Sequence, residues 1–294
     1  MADDTRPPRG VSLASLEIEI QRWLTELGHS EASWTVTRAT FRRFVRFASS
    51  HGVVDVVDVD AALVQQFIDA PGVRGGSPSP ATQHQRRSAL RLVFRLHSKN
   101  DGSIVDPTLH LALPSREADP ARPLTDIEID LIRGASLSTL HETRLPAIVA
   151  LAEASAITSE IAYITSDDVD LCTRTVRLEG SRNTRARVAQ LSTWGVAQLR
   201  RRIETVDDGH LVYRTSKAKP GIAHTSVAVA LGRLLTKAGL GDLPNVGTGS
   251  LRATAGRRTL DATGRIDAAA HVLGCRSLDV AARLVGWDWL EDPD

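Results

Sequence analysis

The sequence predicts a mainly α-helical fold of two domains, the second of which contains one small antiparallel sheet. Apolar residues recur at helical spacing over most of the 294 residues, which favours helices. The stretch 107–123 contains four prolines and few helix signals, which predicts a linker between domains. Between Val169 and Leu191 the apolar pattern changes around a turn, which indicates short strands. We expect a disordered tail over 1–11, one domain over 12–106 and a second domain over 124–294.

Four helices account for the first domain. Each begins near a residue that can cap its N-terminus, and three of them end near a glycine or a proline. The first predicted helix starts at Ser12 or Ser15 and ends at Gly28, and the second starts at Ser30 or Ser33 and ends at Gly52. The third runs over Val59–Ala70 and the fourth over Pro80–Ser98.

The second domain begins with a capped helix. Thr125 precedes an apolar-periodic stretch and Glu128 follows three residues later, which is the pattern of a capping box. An apolar helix over 145–156 comes next, followed by the small sheet. We expect the remaining helices over Ser192–Glu204, Ser226–Gly239, Ser250–Thr263, Asp267–Leu273 and Leu278–Val285.

Composition narrows the class of protein. Hydrophobic residues make up 42% and charged residues 24% of the chain, as in ordinary globular proteins. No apolar run is long enough for a membrane span, and the polar N-terminus lacks the core of a secretory signal. The two cysteines, Cys172 and Cys275, form no CxxC pair, and the histidines have no metal spacing. We expect a cytoplasmic, nucleoid-associated protein without metal, cofactor, membrane or small-molecule substrate.

Basic residues are concentrated on two predicted helices, although the formal net charge is only +1. Residues spaced by four share one helix face, and no acid interrupts 32–51 or 79–100. A DNA backbone would turn the repulsion between these charges into binding energy, whereas the alternative is a plain solvated face. The candidate DNA-binding residues are Arg38, Arg42, Arg43 and Arg46, then Arg86, Arg87, Arg91, Arg95 and Lys99, with Arg182, Arg185 and Arg187 at the hairpin and Arg252 in a late helix.

Several short motifs resemble the tyrosine recombinase (phage integrase) family over about 12–287. "RPLTDIEIDLI" resembles the entry to the catalytic domain, and "ASAITSEI" stands where the family has "TGLRISEL". The later motifs are "TSDDVDL", "RVAQL", "GSLRAT" and "VLGCRSLDVAARLV". The resemblance implies a SAM-like core-binding domain and a recombinase catalytic fold that together clamp duplex DNA.

The resemblance also implies a degenerate reaction centre. The family needs a tyrosine nucleophile and a cage of arginines, histidines and a lysine around the phosphate. Here the first arginine falls on Ile157, the histidines on Gly249 and Cys275, and the nucleophile on Leu284. The lysine falls on Ser181 or Arg182, while the second arginine is kept as Arg252 and the neighbouring acid as Glu160.

No register shift supplies the missing nucleophile. The chain has two tyrosines, Tyr163 and Tyr213, and neither lies near the C-terminal end where the family has its own. Ser277 is a nearby hydroxyl, but no base in its segment would activate it. We therefore expect a pseudo-enzyme.

Three functions remain open from the sequence. The first is a non-catalytic DNA-binding protein that acts as a regulator, an architectural factor or a recombination accessory. It would bind double-stranded DNA, as a monomer in solution that self-associates on DNA or joins an active recombinase. The alternatives are a protein-interaction module without DNA binding, which the near-neutral charge favours, and an active recombinase with an atypical nucleophile.

Overall fold

A computed structural model describes residues 11–26, 31–72, 75–100, 105–114, 121–139, 141–206, 209–213 and 220–287. The chain divides into two compact units whose boundary lies between Ala118 and Asp119, inside the predicted linker. Most of the predicted tail, and the predicted helix boundaries at Gly28 and Ser30, lie outside the described residues. Val11, which we assigned to the tail, packs against the core of the first unit.

The first unit contains the four predicted helices. They are α1 (Leu13–Glu26), α2 (Glu31–Ser50), α3 (Ala61–Asp69) and α4 (Pro80–Asn100). Ser12 caps α1, because its Oγ accepts a hydrogen bond of 3.1 Å from the Ser15 amide. Asp60 caps α3 through the Leu63 amide at 2.7 Å, so this helix begins two residues later than predicted.

An aromatic core joins these helices. Phe44 on α2 lies edge-on to both Phe67 of α3 and Phe94 of α4, and its side chain is fully buried. Part of the predicted linker belongs to this unit, because Leu111 and Leu113 pack against the same core. The Gln65 amide also donates to the Ala112 carbonyl at 3.0 Å.

The second unit combines a three-stranded antiparallel sheet with helices. Strand order is β1-β2-β3, and β2 pairs with β3 so that Val176 faces Ala189. Its elements are α5 (Asp126–Ser136), α6 (Arg144–Glu153), α7 (Thr158–Ile161), β1 (Val169–Asp170), β2 (Thr175–Leu178), β3 (Arg187–Gln190), α8 (Thr193–Ile203), α9 (Pro220–Lys237), α10 (Ser250–Thr263), α11 (Ile266–Leu273) and α12 (Leu278–Val285).

Local signals explain where three of these helices begin. Thr125 and Glu128 form the predicted capping box at α5, and the Ser192 hydroxyl caps α8 through the Gly195 amide. Helix α9 starts at Pro220, six residues before the predicted Ser226, where a proline is well placed because the first helical amide needs no partner.

Helices α10, α11 and α12 close over a separate apolar cluster. Gly256 on α10 makes this packing close, because a Cβ there would lie 2.6 Å from Leu273 Cδ1 and 2.8 Å from Val285 Cγ1. Trp287 also packs against this cluster. No helix in the described part of the chain is long and apolar enough to cross a membrane.

Candidate DNA-binding surface and reaction-centre positions

A buried ion pair organises the second unit where the family motifs converge. Arg187 on β3 donates to the Glu160 carboxylate through Nη1 at 2.8 Å and through Nη2 at 3.0 Å. The two side chains are 1% and 2% exposed. Burying two charges is costly unless each is fully hydrogen-bonded, and here both nearly are.

The remaining donors of Arg187 reach other segments. Its Nη2 donates to the Ser155 carbonyl at 2.7 Å, and its Nε donates to the Val272 carbonyl on α11 at 3.0 Å. Glu160 in turn accepts the Ile157 amide at 2.9 Å. We predicted that Arg187 contacts DNA. Its guanidinium is instead buried and hydrogen-bonded within the protein, so we leave Arg187 out of the candidate interface.

Apolar or small residues occupy four of the six positions that the resemblance assigns to reaction chemistry. Ile157 is half-buried at the start of α7 and has no group that could hold a phosphate oxygen. Leu284 packs against the α10–α12 cluster, and Cys275 is buried within it, as free cysteines often are. Gly249 precedes α10 and has no side chain to offer.

Arg252 on α10 is the retained arginine, and it is half-buried. Its Nη2 donates to the Leu273 carbonyl and lies 3.8 Å from Cys275 Sγ. Its Nε is buried without a hydrogen-bond acceptor among the described residues. Burial lowers the pKa of Arg252 and raises the pKa of the Cys275 thiol, although Arg252 opposes the latter shift.

The three hydroxyls that the sequence offered as alternative nucleophiles lie in different parts of the second unit. Contrary to the sequence expectation, a carboxylate lies within hydrogen-bond distance of Ser277. Tyr163 is half-exposed beside Thr165 and Asp167 in a cleft next to β2. Tyr213 packs against the core of the second unit. The Ser277 hydroxyl lies 3.4 Å from the Asp279 carboxylate on the exposed start of α12.

The first unit presents a set of exposed basic side chains. Arg42 is exposed but pairs with Glu17 of α1, with Nε 2.7 Å from the carboxylate. The other members have no hydrogen-bond or ion-pair partner within the described residues: Arg43 and Arg46 on α2, and Arg91, Arg95 and Lys99 on α4. These five residues we call the open basic set.

Three residues of this unit that were predicted to contact DNA make contacts inside the protein instead. Arg86 is buried and donates to the carbonyls of Phe67, Ile68 and Ala70, so it satisfies the C-terminal end of α3. Burial also lowers its pKa. Arg87 donates to the Thr108 and Leu109 carbonyls, and Arg38 lies over the Trp34 ring. Of these three, we leave Arg86 out of the interface because it is buried and its guanidinium is bound to three backbone carbonyls.

Two exposed arginines lie at the β2–β3 turn. Arg182 and Arg185 have free guanidiniums within the described part of the chain, and the Arg185 amide donates to the Gly274 carbonyl at 2.8 Å. Sequence reasoning missed Arg276, which is also exposed and follows Cys275 directly. Its position within the "VLGCRSLDVAARLV" motif was the signal that could have identified it. Among the described residues, no group of three metal-ligating side chains forms a site.

Comparison with known proteins identifies the fold. No protein-family model and no curated protein sequence matches the chain. Solved structures do match over nearly its full length. A lambda integrase dimer bound to a COC' core site has a TM-score of 0.71 at 16% identity, covering 97% of this chain and 98% of that one. A lambda integrase tetramer bound to a Holliday junction has a TM-score of 0.70 at 15% identity, with coverages of 99% and 85%.

A transposon integrase is also similar in structure to this chain. The Tn1549 integrase in complex with a circular intermediate DNA has a TM-score of 0.65 at 15% identity, with coverages of 94% and 95%. The mainly helical fold with a small antiparallel sheet, which the sequence predicted, is confirmed by these matches. The chain therefore has the fold of the tyrosine recombinases and integrases.

Proposed function

We propose that this protein binds double-stranded DNA without cutting it. The observation that carries the proposal is the nucleophile position: Leu284 packs in an apolar cluster, and no tyrosine follows Tyr213 in the sequence. Strand cleavage by this fold family needs a tyrosine that attacks a phosphate. Loss of even one charge-stabilising donor costs about 10²–10³ in rate, and Ile157, Gly249 and Cys275 would each remove one.

The open basic set supports binding to DNA. Its five side chains are exposed and unpaired, so neutralising them with phosphates breaks no internal contact. Each phosphate contact releases counterions and adds a salt-dependent increment to affinity. Arg182, Arg185 and Arg252 would add contacts from the second unit. The matched lambda and Tn1549 integrases were both solved with DNA.

The biological role follows from binding without cleavage. A protein of this kind acts as a regulator of transcription, an architectural factor or a recombination accessory that joins an active recombinase. Phosphate contacts alone carry no sequence information, so the target depends on side chains that reach base edges.

A salt series tests the proposal. Affinity of the full chain for duplex DNA is measured from low to moderate salt, beside the Arg91→Ala/Arg95→Ala/Lys99→Ala variant. The matched control is Arg177→Ala/Arg257→Ala/Arg258→Ala, which removes three exposed arginines that are already paired with Asp168, Asp261 and Asp126.

The two triple variants carry the same net charge, so a general electrostatic effect would weaken both equally. We expect steep salt dependence for the intact protein, and a slope shallower by about 3 in the α4 variant only. Absence of binding at low salt would refute the proposal and favour the protein-interaction module.

A further inference from the structure

The segment 105–114, which we call the linker strap, is fastened to the first unit. Pro107 and Thr108 are buried near its start. Leu111 and Leu113 pack against the aromatic core of the four helices. The first part of the predicted linker therefore belongs to the first unit.

Two donors on α4 hold backbone carbonyls of the strap. Arg87 donates through Nε to the Thr108 carbonyl at 3.2 Å and through Nη2 to the Leu109 carbonyl at 3.3 Å. His84, one turn earlier on the helix, donates through Nε2 to the Pro114 carbonyl at 2.9 Å. The strap is thus held at both its middle and its end.

A third donor comes from α3. The Gln65 side-chain amide donates to the Ala112 carbonyl at 3.0 Å and to the Asp69 carboxylate at 2.8 Å, so the carboxylate holds this amide in place. Ordering a peptide segment costs conformational entropy, which these donors and the two buried leucines offset.

The second unit holds the chain again from Arg122 onward. The Arg122 amide donates to the Asn245 carbonyl at 2.7 Å, and its guanidinium pairs with Glu128 at 2.6 Å. Only the seven residues 115–121 stand between this anchor and the end of the strap at Pro114. A chain of that length reaches at most about 25 Å.

Release of the strap would make this connection three times longer. It would then run from the end of α4 at Asn100, and the 21 residues 101–121 would join the two units. A chain of that length reaches up to about 75 Å. The effective concentration of one unit beside the other falls roughly as the −3/2 power of linker length, so release would lower it about fivefold.

We propose that the linker strap sets the length of the connection between the two units. Its attachment to the first unit shortens the connection and so raises the affinity with which both units bind one DNA duplex. The statement on affinity rests on the proposed DNA binding, whereas the statement on length does not.

The test uses the full chain and a strap variant, Gln65→Ala/Leu111→Ser/Leu113→Ser. These substitutions remove one carbonyl donor and both apolar anchors without changing the net charge. Thermal unfolding verifies that the helices of the first unit are retained.

The matched control is Gln83→Ala/Val105→Ser/Leu109→Ser. Gln83 donates to Asp69 at 2.8 Å, as Gln65 does, but it makes no hydrogen bond to the strap in the described structure. Val105 and Leu109 lie on the strap with exposed side chains. The control therefore repeats the chemical changes at positions that do not hold the strap.

Small-angle X-ray scattering without DNA measures the largest dimension of each protein. We expect an increase of about 10 Å in the strap variant and none in the control, because the end-to-end distance of a linker grows with the square root of its length. Equal dimensions in the two variants would overturn the proposal.

Affinity for duplex DNA is then measured over a salt series. We expect a loss of about fivefold in the strap variant with an unchanged salt slope, because no phosphate contact is removed. A shallower slope would overturn the strap's link to binding, because it would show that the substitutions remove phosphate contacts.

An insertion separates the length of the connection from the fold of the first unit. Fourteen glycine and serine residues placed after Ala118 lengthen the connection as much as release would, while the strap stays attached. This variant should lose affinity to the same degree, and full affinity would overturn the link between length and binding. If the intact protein binds no DNA, the proposed function fails together with this link, and scattering alone still confirms or overturns the effect of the strap on length.

Discussion

Arg187 and Glu160 lie 27 residues apart in the chain and meet as a two-pronged ion pair in which both side chains are almost completely buried. The pair is the one strongly buried charge-charge contact at the point where the "ITSEI" and "RVAQL" motifs converge, within the described residues. Its contribution to the free energy of unfolding can be measured directly.

Replacement of Arg187 by methionine should destabilise the protein by about 3–5 kcal/mol, because Glu160 would keep a buried charge without its partner. Urea unfolding measures the loss in free energy of unfolding. Arg177→Met is the matched control: its pair with Asp168 is largely exposed on the arginine side, and we expect a loss of no more than about 1 kcal/mol. Similar losses in the two variants would contradict the importance of burial.

Acid should weaken the capping box of α5. Hydrogen bonds from Arg122, at 2.6 and 2.9 Å, lower the pKa of Glu128 to about 2 from its ordinary value of 4.5. Because the pKa is lowered on folding, the stabilisation is fully present above pH 4.5 and is lost as the pH falls through about 2.

Glu128→Gln should therefore cost about 1 kcal/mol or more at pH 7, and the difference from the intact protein should shrink below pH 4.5. Urea unfolding at pH 7 and pH 3 measures both differences. Asp261→Asn, in an exposed pair with Arg257, serves as the control with a small cost at pH 7. A difference for Glu128→Gln that stays constant with pH would disprove the assignment.

Glu17 should oppose DNA binding. It holds the Arg42 guanidinium at 2.7 Å, so a phosphate must compete with a carboxylate for this arginine. Glu17→Gln should tighten binding to duplex DNA by a few-fold, most clearly at low salt where screening is weak. Glu19→Gln makes the same charge change on the same helix without an ion pair in the described structure, and it should have a smaller effect. Equal effects would mean that only net charge matters.

The protein should form no covalent bond to DNA. Incubation with supercoiled plasmid, followed by denaturation with detergent and gel separation, would reveal protein attached to DNA. We expect none, since the resemblance places the family's nucleophile position on Leu284. An adduct that disappears in Tyr163→Phe or in Tyr213→Phe would instead support the active recombinase with an atypical nucleophile.

Local sequence signals were enough to predict helix bounds where the helix ends are fixed by residues close in the chain. The bounds of α10 and α12 agree with prediction, and Thr125 and Ser192 cap their helices because the partner amides lie three residues away. The start of α9 at Pro220 was missed because apolar periodicity begins only later in that helix.

The candidate DNA-binding residues were harder to predict because spacing along a helix does not reveal long-range partners. Arg86 shares a helix with Arg91, yet its guanidinium turns inward to carbonyls 16 to 19 residues earlier in the chain. Arg187 likewise finds its acid 27 residues away. An arginine has a long apolar stem that suits either environment, so sequence alone cannot separate a buried arginine from an exposed one.

The contacts of Arg187 have a consequence for how the second unit opens. One guanidinium joins β3, the Ser155 carbonyl, the start of α7 through Glu160, and the Val272 carbonyl on α11. None of these segments can separate from the others without stranding a buried charge, so they should unfold in one cooperative event. In native-state hydrogen exchange, the amides of Val176 and Ala189 should therefore exchange with the same opening free energy as those of α11, although the sheet is small.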